Sequence, residues 1–306
     1  MSQIYDTIII GGGPAGLAAA LYGGRARMKT LLIERAKFGG QAATTEELEN
    51  YPGSIEDTTK PLIARMKEQA ERFGTEIIKD EIVDLELEGE IKKLKGRDAV
   101  YEAKTVIVAT GANPRLAGFK NEVELRGKGI SYCATCDADF FTELDVAVVG
   151  GGDSALDEAL YLTKFAETVT IIHRRDEFRA NKSVQEKVFA NKKINIIWDS
   201  VVEEAIDDDG ILGGLKLKNR KTGEISDLDV QGCFVFVGFV PNSELFKDKL
   251  TMTERGEIIT DADMKTNIPG VFAAGDVRQK SLRQVITATA DGAIAATQAE
   301  HYVQNL

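Results

Sequence analysis

Short apolar runs, each ending at a glycine-rich turn, mark the beginning of the chain. Ile8-Ile9-Ile10 is β-branched and predicts a strand, which ends at Gly11-Gly12-Gly13-Pro14-Ala15-Gly16. Leu17-Ala18-Ala19-Ala20-Leu21 has the composition of a helix, and Lys29-Thr30-Leu31-Leu32-Ile33-Glu34 predicts the next strand. Strand, glycine turn, helix and strand within about thirty residues form a βαβ unit.

The same order of elements recurs in the middle of the chain. Val146-Ala147-Val148-Val149 predicts a strand, Gly150-Gly151-Gly152-Asp153-Ser154-Ala155 a glycine turn, and Val169-Thr170-Ile171-Ile172-His173 the strand beyond the next helix. Further apolar runs predict the buried strands Val106-Ile107-Val108, Ile194-Asn195-Ile196-Ile197 and Phe234-Val235-Phe236-Val237. We therefore expect an α/β fold with two Rossmann-like dinucleotide-binding units.

Composition and charge narrow the class of protein. The chain has 306 residues, of which 43% are hydrophobic and 28% charged, and this length predicts about two domains. Its net charge of −11 and lack of a basic block argue against nucleic-acid and anionic-membrane partners. No apolar run approaches the ~18 residues of a membrane span, and the start lacks the basic region of a secretory signal. We expect a soluble, cytoplasmic protein.

The first glycine turn predicts a dinucleotide site. In Gly11-x-Gly13-x-x-Gly16 the glycines allow a tight turn, close approach of a pyrophosphate and close packing of helix on strand. The helix N-terminus then presents unpaired N–H groups to the phosphates. Glu34, at the end of the second strand, is placed to accept hydrogen bonds from a ribose hydroxyl. The alternative is a tight turn with a structural role only.

The second glycine turn differs in the residues that follow its second strand. His173 has the same offset from Gly152 that Glu34 has from Gly13, and Arg174, Arg175 and Arg179 come after it. Guanidinium groups bind phosphate through charge-assisted bidentate hydrogen bonds, whereas a carboxylate would repel it. This site should prefer NADPH over NADH. The alternative is a solvated basic face.

The segment Gly270-Val271-Phe272-Ala273-Ala274-Gly275-Asp276 predicts a strand that ends in Gly-Asp and closes over the first cofactor. The first domain is then discontinuous, with the second domain inserted in it. We place the crossings near Ala112-Asn113-Pro114 and Val240-Pro241-Asn242. The predicted domains are residues 1–113 with 243–306, and residues 114–242.

The pair Cys133-Ala134-Thr135-Cys136 indicates redox chemistry. Half of a zinc site is the alternative, but the remaining cysteine and both histidines are scattered along the chain. In a cytoplasmic protein with nucleotide sites, CxxC is typical of a redox dithiol. Asp137 is either a general acid that protonates a leaving thiolate or a helix N-cap. Cys233 lies in an apolar strand and is expected to be an inert core residue.

Together these motifs resemble the bacterial thioredoxin reductases, over essentially the whole chain. The residues that carry the resemblance are Gly11–Gly16, Gly39-Gly40-Gln41, Glu49-Asn50-Tyr51-Pro52-Gly53, Ala109-Thr110-Gly111, Cys133-Ala134-Thr135-Cys136-Asp137, His173-Arg174-Arg175 with Arg179, and Ala274-Gly275-Asp276 with Arg283-Gln284. The resemblance implies a homodimeric flavoprotein that reduces the disulfide of thioredoxin with NADPH. It also implies two Rossmann-like, three-layer ββα domains, with an NADPH-binding domain inserted in a discontinuous FAD-binding domain.

Carried over position by position, the resemblance implies site residues. Those for FAD are Gly11, Gly13, Pro14, Ala15, Gly16, Glu34, Arg35, Gly39, Gly40, Gln41, Asn50, Gly275, Asp276, Arg283, Gln284 and Val285. Those for NADPH are Gly150, Gly152, Asp153, Ser154, Ala155, His173, Arg174, Arg175 and Arg179. Cys133, Cys136 and Asp137 are the catalytic residues. Ala138 and Gly23-Gly24 depart from the family's usual residues, and a helical Gly costs about 0.5–1 kcal/mol against Ala.

The alternative functions differ in whether they require the CxxC and the arginine cluster. A dithiol-independent reductase of ferredoxin or flavodoxin would lack the CxxC, and a ferredoxin-fed enzyme would lack the arginine cluster. A reductase of another thioredoxin- or glutaredoxin-like protein, or a nucleotide-binding redox sensor, would keep both features. The family alternates its two reductions by rotating one domain against the other. We therefore expect two domain orientations here, with hinges near the two crossings.

Overall fold

The protein is described by a computed structural model, which covers residues 3–44, 50–54 and 59–306. The chain divides into two compact units. Unit 1 consists of Met1–Asn113 and Val240–Leu306, and unit 2 consists of Pro114–Phe239. The second boundary lies three residues before the position expected from the sequence. The reason is Asn242, whose backbone and side-chain amides bond to the carbonyl oxygens of Gly111 and Thr110 in unit 1 (both 2.9 Å).

The helices and strands alternate along the chain as expected for an α/β protein. The strands are β1 (Ile4–Ile10), β2 (Thr30–Glu34), β3 (Glu76–Lys79), β4 (Ile82–Glu86), β5 (Lys92–Gly96), β6 (Val100–Val108), β7 (Ala112–Pro114), β8 (Ile130–Ser131), β9 (Asp145–Gly150), β10 (Thr168–Ile172), β11 (Ile194–Ile197), β12 (Ser200–Asp208), β13 (Ile211–Asn219), β14 (Ile225–Leu228), β15 (Gly232–Phe236), β16 (Phe239–Pro241) and β17 (Val271–Ala273). The helices are α1 (Pro14–Arg25), α2 (Thr59–Arg72), α3 (Ala134–Asp137), α4 (Asp153–Leu162), α5 (Lys182–Ala190) and α6 (Val285–Gln304). The segments Gly40–Thr44, Ala138–Phe141, Glu244–Phe246 and Gly275–Val277 form 3₁₀ turns.

Unit 1 is built on a sheet of order β3-β2-β1-β6-β5-β4, with β17 also paired to β6. Strands β1, β2, β3, β6 and β17 run parallel, whereas β4 and β5 extend the sheet antiparallel. Alternate residues of the central strands point to opposite faces. Ile9 packs with helices α1 and α6, and Ile8 packs with β4 and β5 on the other face. The sheet therefore has helices on one face and the antiparallel extension on the other.

Unit 2 repeats this plan. Its parallel sheet has the order β11-β10-β9-β15-β8, and β12, β13 and β14 form a separate antiparallel sheet. Val146 and Val148 of β9 pack against α4, whereas Ala147 and Val149 pack toward β12 and β13. The two crossings between the units, β7 and β16, pair as a two-stranded sheet. Within the residues that the structure covers, no helix is long and apolar enough to cross a membrane.

Candidate functional site

The first glycine turn has the geometry that the motif predicts. Gly11 has φ +110, and a Cβ there would lie 2.4 Å from the Ala109 carbonyl oxygen. A Cβ on Gly16 would lie 1.8 Å from the Gly11 carbonyl oxygen, so α1 packs directly on the turn. A Cβ on Gly13 would meet nothing within 4 Å. The open position is therefore the one at which a pyrophosphate would approach the start of α1.

Glu34 is fixed beside this turn by backbone hydrogen bonds. Its buried carboxylate accepts from the N–H of Gly12 (2.6 Å) and of Ala36 (2.7 Å). Gly39 donates to the Gly12 carbonyl oxygen (2.8 Å), so the predicted segment that starts at Gly39 also adjoins the turn. A carboxylate has about four acceptor positions, so Glu34 keeps capacity for a ribose hydroxyl.

Three other predicted residues of this stretch have different surroundings. Arg35 is exposed, with its Nη1 3.8 Å from Oε1 of Glu81. The amide of Gln41 donates to Oδ1 of Asn113 (2.5 Å). Glu49, quoted in the resemblance, lies outside the described residues, whereas Asn50 is described and donates to Oε1 of Gln284 (3.0 Å).

The C-terminal Gly-Asp segment returns to the first glycine turn. Strand β17 pairs with β6, and a Cβ on Gly275 would lie 2.9 Å from Cβ of Ala15. Asp276 follows, and its Oδ1 is buried without a hydrogen-bond partner among the described residues. Burial raises the pKa of this carboxyl group. Since a buried acceptor without a partner is costly, Asp276 fits a site whose ligand donates a hydroxyl group.

Gln284 and Val285 form the start of α6. The Gln284 side chain and the Thr287 hydroxyl make reciprocal capping bonds with the backbone of the first turn. Arg283 precedes this cap and forms an ion pair with Glu257. The structure thus brings together residues from both ends of the chain that were predicted to bind one cofactor.

Sequence reasoning missed the buried ion cluster of Asp291, Arg278 and Lys280 next to this site. The Asp291 carboxylate accepts from Lys280 Nζ (2.8 Å) and from the backbone N–H of Gly275 (3.0 Å), and lies 3.3 Å from Arg278 Nη1. Its members are distant along the chain from the glycine turn and belong to no motif. The cluster holds the turn that carries Asp276.

The second glycine turn repeats the first with one substitution. A Cβ on Gly150 would lie 2.6 Å from both the Phe236 carbonyl oxygen and Cβ of Ala155, which stands where the first turn has Gly16. A Cβ on Gly152 would meet nothing within 4 Å. Helix α4 begins at the next residue, so this turn also presents an open helix N-terminus to a pyrophosphate.

His173 lies beneath the second glycine turn. It is buried, and a Cβ on Gly151 would lie 2.2 Å from its Nδ1. Its ring centroid is 5.5 Å from that of Phe178 and 6.1 Å from that of Trp198. Burial lowers the pKa of the imidazole, so the neutral form is favoured. His173 therefore supports the turn, and its predicted contact with the nucleotide stays a prediction.

The three arginines after His173 are exposed and lie on a loop tied to the glycine turn. Arg179 N–H donates to the Gly151 carbonyl oxygen (2.8 Å), and Asp153 accepts from the N–H of Asn181 (2.7 Å). Arg174 and Arg175 precede these contacts, and Ser154 is exposed at the start of α4. The backbone of this loop is therefore held at the second glycine turn, and its arginine side chains are exposed to solvent.

The two cysteines of the CxxC form a disulfide, with their Cα atoms 5.3 Å apart. Both are partly buried at helix α3. Asp137 accepts a hydrogen bond from the Ser131 hydroxyl (2.5 Å), and Ser131 also accepts from the N–H of Cys133 (3.1 Å). Burial raises the pKa of Asp137, while Ser131 and Arg126 oppose this shift.

Contacts bear on the two other residues that the sequence singled out near the dithiol and in the core. Asp137 occupies the N-cap position of the Ala138–Phe141 turn, but its side chain makes no capping hydrogen bond there. Cys233 is fully buried, and burial raises the pKa of its thiol, which confirms an inert core residue. In residues 3–44, 50–54 and 59–306, no cluster of three His, Cys, Asp or Glu side chains could hold a metal.

Glu158 on α4 is a second group that the sequence did not indicate. Its Oε2 is buried without a hydrogen-bond partner in the part of the chain that the structure describes. Burial, helped by the neighbouring charge of Asp157, raises the pKa of Glu158 to about 7. A charged residue on a predicted helix carries no signal that it will be buried.

Two glycine turns at the ends of parallel strands, together with a disulfide between closely spaced cysteines, define a nucleotide-dependent disulfide oxidoreductase. The sequence profile of the family "Pyridine nucleotide-disulphide oxidoreductase" matches residues 5–292, and the chain belongs to this family. The thioredoxin reductase of Peptoclostridium acidaminophilum is 59% identical over 311 residues, covering 99% of this chain and 98% of the relative. The resemblance inferred from the motifs is confirmed.

Solved structures show the same likeness. The thioredoxin reductase from Streptococcus pyogenes MGAS5005 is 46% identical, covers 100% of both chains and superimposes with a TM-score of 0.95. The Lactococcus lactis thioredoxin reductase in its FR conformation is 47% identical, covers 99% of this chain and 100% of its own, and has a TM-score of 0.69. The α/β fold with two dinucleotide-binding domains is thus confirmed.

Proposed function

We propose that this chain is a thioredoxin-disulfide reductase that uses NADPH and FAD. The observation that carries the proposal is the Cys133–Cys136 disulfide, which is followed directly by the partly buried Asp137 and lies in the same unit as the second glycine turn. The name shared by its relatives supports thioredoxin as the disulfide substrate. Reduction of thioredoxin in this way belongs in the cytoplasm, where thiols are kept reduced.

Unit 1 fits FAD. The cofactor, when bound, supplies a carrier that accepts a hydride from a nicotinamide and passes two electrons to a disulfide. The open face of the first glycine turn and the start of α1 would hold the pyrophosphate. Glu34 would accept from a ribose hydroxyl, and Oδ1 of Asp276 would accept the hydroxyl hydrogen bond that it lacks in the protein alone.

Unit 2 fits NADPH. The second glycine turn would hold its pyrophosphate, and Arg174, Arg175 and Arg179 would bind the 2′-phosphate. All three guanidinium groups are exposed on the loop tied to that turn. A phosphate dianion gains charge-assisted hydrogen bonds there, so we expect discrimination against NADH.

Asp137 would serve as the proton donor for the dithiol. When the Cys133–Cys136 bond opens, one sulfur leaves as a thiolate and must be protonated. Burial raises the pKa of Asp137, which directly follows Cys136, and so makes its carboxyl group more readily protonated than an exposed aspartate. In the exchange with thioredoxin, one thiolate attacks the partner's disulfide, and the second thiolate resolves the mixed disulfide. Two electrons and two protons pass to thioredoxin, and the Cys133–Cys136 bond re-forms.

We also infer that the protein is a homodimer joined through unit 1. A groove between α1, α2 and α6 is lined by apolar side chains, among them Leu21, Tyr22, Met66 and Ile286. Tyr22 and Ile286 are 47% and 39% exposed. Large apolar side chains exposed at the rim of an apolar groove are typical of an interface. Analytical ultracentrifugation tests this inference, and a monomer at micromolar concentration would refute it.

Alternation between two domain orientations remains a prediction. The two structural relatives have nearly equal identity to this chain but TM-scores of 0.95 and 0.69. Sequence divergence does not account for that difference, which supports more than one conformation among the relatives. An engineered disulfide between the units should block turnover reversibly, and full activity in the cross-linked protein would contradict the prediction.

Anaerobic titration tests the proposed function. NADPH should bleach the flavin absorbance of the purified holoprotein, and oxidised thioredoxin should restore it. Bleaching without recovery would reject thioredoxin as the substrate, and recovery with a glutaredoxin-like protein alone would identify a different partner. No bleaching would reject the whole proposal. The Cys233→Ser variant is the matched control, because that buried cysteine forms no disulfide.

A further inference from the structure

The turn between β13 and β14, residues 219–223, lies against the loop that carries the two adjacent arginines of unit 2. The side chain of Asn219 accepts from the N–H of Lys221 (2.9 Å) and of Thr222 (3.0 Å), and Gly223 N–H donates to the Asn219 carbonyl oxygen (2.9 Å). These bonds fix the turn locally. We refer to residues 219–223 as the hairpin turn.

Arg220 connects the hairpin turn to the arginine loop. Its Nη1 donates to the carbonyl oxygen of Arg174 (3.2 Å), and its backbone N–H donates to the carbonyl oxygen of Asp199 (2.6 Å). Asp199 N–H in turn donates to the carbonyl oxygen of Arg175 (3.1 Å). The backbones of both arginines are therefore held from the hairpin turn. The Arg220 guanidinium is exposed and adds a positive charge next to Arg174.

The positive charge of Lys221 offsets part of the negative charge of two nearby carboxylates, those of Asp176 and Asp199. Its Nζ lies 2.8 Å from Oδ2 of Asp176 and 3.0 Å from Oδ2 of Asp199. Asp176 directly follows Arg175, so without Lys221 its charge would oppose the binding of a phosphate. The hydrogen bond from Lys221 lowers the pKa of Asp176, and the two carboxylates raise the pKa of Lys221.

We propose that Arg220 and Lys221 are specificity-determining residues for the 2′-phosphate of NADPH. Arg220 positions the loop of Arg174 and Arg175 and contributes positive charge, and Lys221 offsets part of the negative charge of Asp176 and Asp199. The proposal rests on the proposed function, because it extends the NADPH site to a turn that carries no nucleotide motif. Residues of this turn lie in a different sheet from the glycine turn, so no spacing rule would have indicated them.

Binding of nucleotide fragments to the FAD-loaded protein tests the proposal without turnover. 2′,5′-ADP and 5′-AMP share every group except the 2′-phosphate, so the ratio of their dissociation constants isolates that group. Isothermal titration calorimetry should be run on wild type, Arg220→Met, Lys221→Met and the double variant. Lys218→Met is the matched control, because Lys218 carries the same charge on β13 but pairs with Glu203 (2.8 Å).

The expected changes follow from exposed charges near a dianion. Each single variant should weaken 2′,5′-ADP binding about three- to sixfold and the double variant about tenfold or more, with less than twofold change for 5′-AMP. The difference in 2′,5′-ADP affinity between the variants and wild type should become smaller as ionic strength rises. Lys221→Arg should restore near wild-type binding, since it keeps the charge. The Lys218→Met variant should change 2′,5′-ADP binding by less than about twofold.

The outcomes separate this inference from the proposed function. Unchanged 2′,5′-ADP binding in the double variant would overturn the inference, and so would an equal loss for both fragments. If the Arg174→Ala variant still loses 2′,5′-ADP selectively, the NADPH site stands without the hairpin turn. Wild-type protein with no preference for 2′,5′-ADP over 5′-AMP would overturn both. The far-UV circular dichroism melting curve of each variant must match that of wild type.

Discussion

Asp291 is the shared partner of two buried cations and one backbone amide, so its removal should be costly. Its side chain is 10% exposed, and those of Lys280 and Arg278 are 7% and 14% exposed. The same carboxylate accepts from the N–H of Gly275, which precedes Asp276 at the predicted FAD site. The perturbation is Asp291→Ala, with Asp291→Asn as the milder change.

The magnitude follows from what each variant leaves without a partner. Breaking a buried ion pair by removing one member costs about 3–5 kcal/mol, and a buried N–H without an acceptor costs about 1–3 kcal/mol. Because Lys280 can move toward solvent, we expect a loss of about 4 kcal/mol for Asp291→Ala. The amide of Asn still accepts from Gly275, so Asp291→Asn should lose about 2–3 kcal/mol.

Urea unfolding can measure this loss in one unit at a time. Trp198 is the only tryptophan of the chain and lies in unit 2, so its fluorescence follows that unit. Release of FAD follows unit 1, where the substitution lies. Separate transitions are required, since a protein of two units need not unfold in a single step. The unit 1 midpoint should fall and the Trp198 transition should stay in place.

A double-mutant cycle checks that the charges are the cause. Lys280→Met combined with Asp291→Asn should recover about 1–3 kcal/mol relative to the sum of the single changes. Asp263→Ala is the matched control, because Asp263 pairs with Lys265 at 2.9 Å with both side chains about half exposed. We expect Asp263→Ala to lower the free energy of unfolding by less than about 1 kcal/mol. A loss below 1 kcal/mol for Asp291→Ala, or strict additivity in the cycle, would refute the reasoning.

Further predictions concern the dithiol, the nucleotide site and a buried acid. Cys133→Ser or Cys136→Ser should abolish thioredoxin reduction but leave flavin bleaching by NADPH, and retained turnover in either variant would exclude the dithiol as the conduit. The double variant Arg174→Ala/Arg175→Ala should raise KM for NADPH on the order of a hundredfold and KM for NADH little. An equal rise in both KM values would show that these arginines do not bind the 2′-phosphate. Burial raises the pKa of Glu158 to about 7, so wild-type stability should fall as pH rises from 4.5 through 7. Glu158→Gln should remove this fall, and urea unfolding at pH 8 should show the variant to be more stable than wild type by about 1–2 kcal/mol. If the unfolding free energies of the variant and of wild type changed in parallel with pH, the prediction would be wrong.

The strands and both glycine turns could be predicted from the sequence because their causes are local. A β-branched run such as Ile8-Ile9-Ile10 is buried on both faces, which is where β1 lies between β2 and β6. The glycine spacing likewise sets which positions are crowded and which stay open. The ion cluster of Asp291 and the contacts of Arg220 depend on residues brought together only by the fold. No periodicity or spacing marks them.

Helix α1 shows how a local rule can fail through a distant contact. By helix propensity, Gly24 should make α1 less stable than Ala at this position would. A Cβ on Gly24, however, would lie 2.9 Å from both the Phe73 carbonyl oxygen and the Thr75 hydroxyl oxygen. The glycine therefore permits close packing against the segment that leads into β3. Its advantage depends on residues about fifty positions away, so it could not be assessed from the helix alone.

The two residues at the same offset from their glycine turns show what a motif does determine. In unit 1 the carboxylate of Glu34 accepts from the turn's own N–H, at Gly12. In unit 2 the ring of His173 fills the space under Gly151, and the chain then leads out to Arg174. The offset thus fixes a position at the end of the second strand in both units. Whether that side chain faces a ligand or supports the turn depends on its size and polarity. We therefore expect discrimination between nucleotides to depend on residues after the strand, where the guanidinium groups are exposed to solvent.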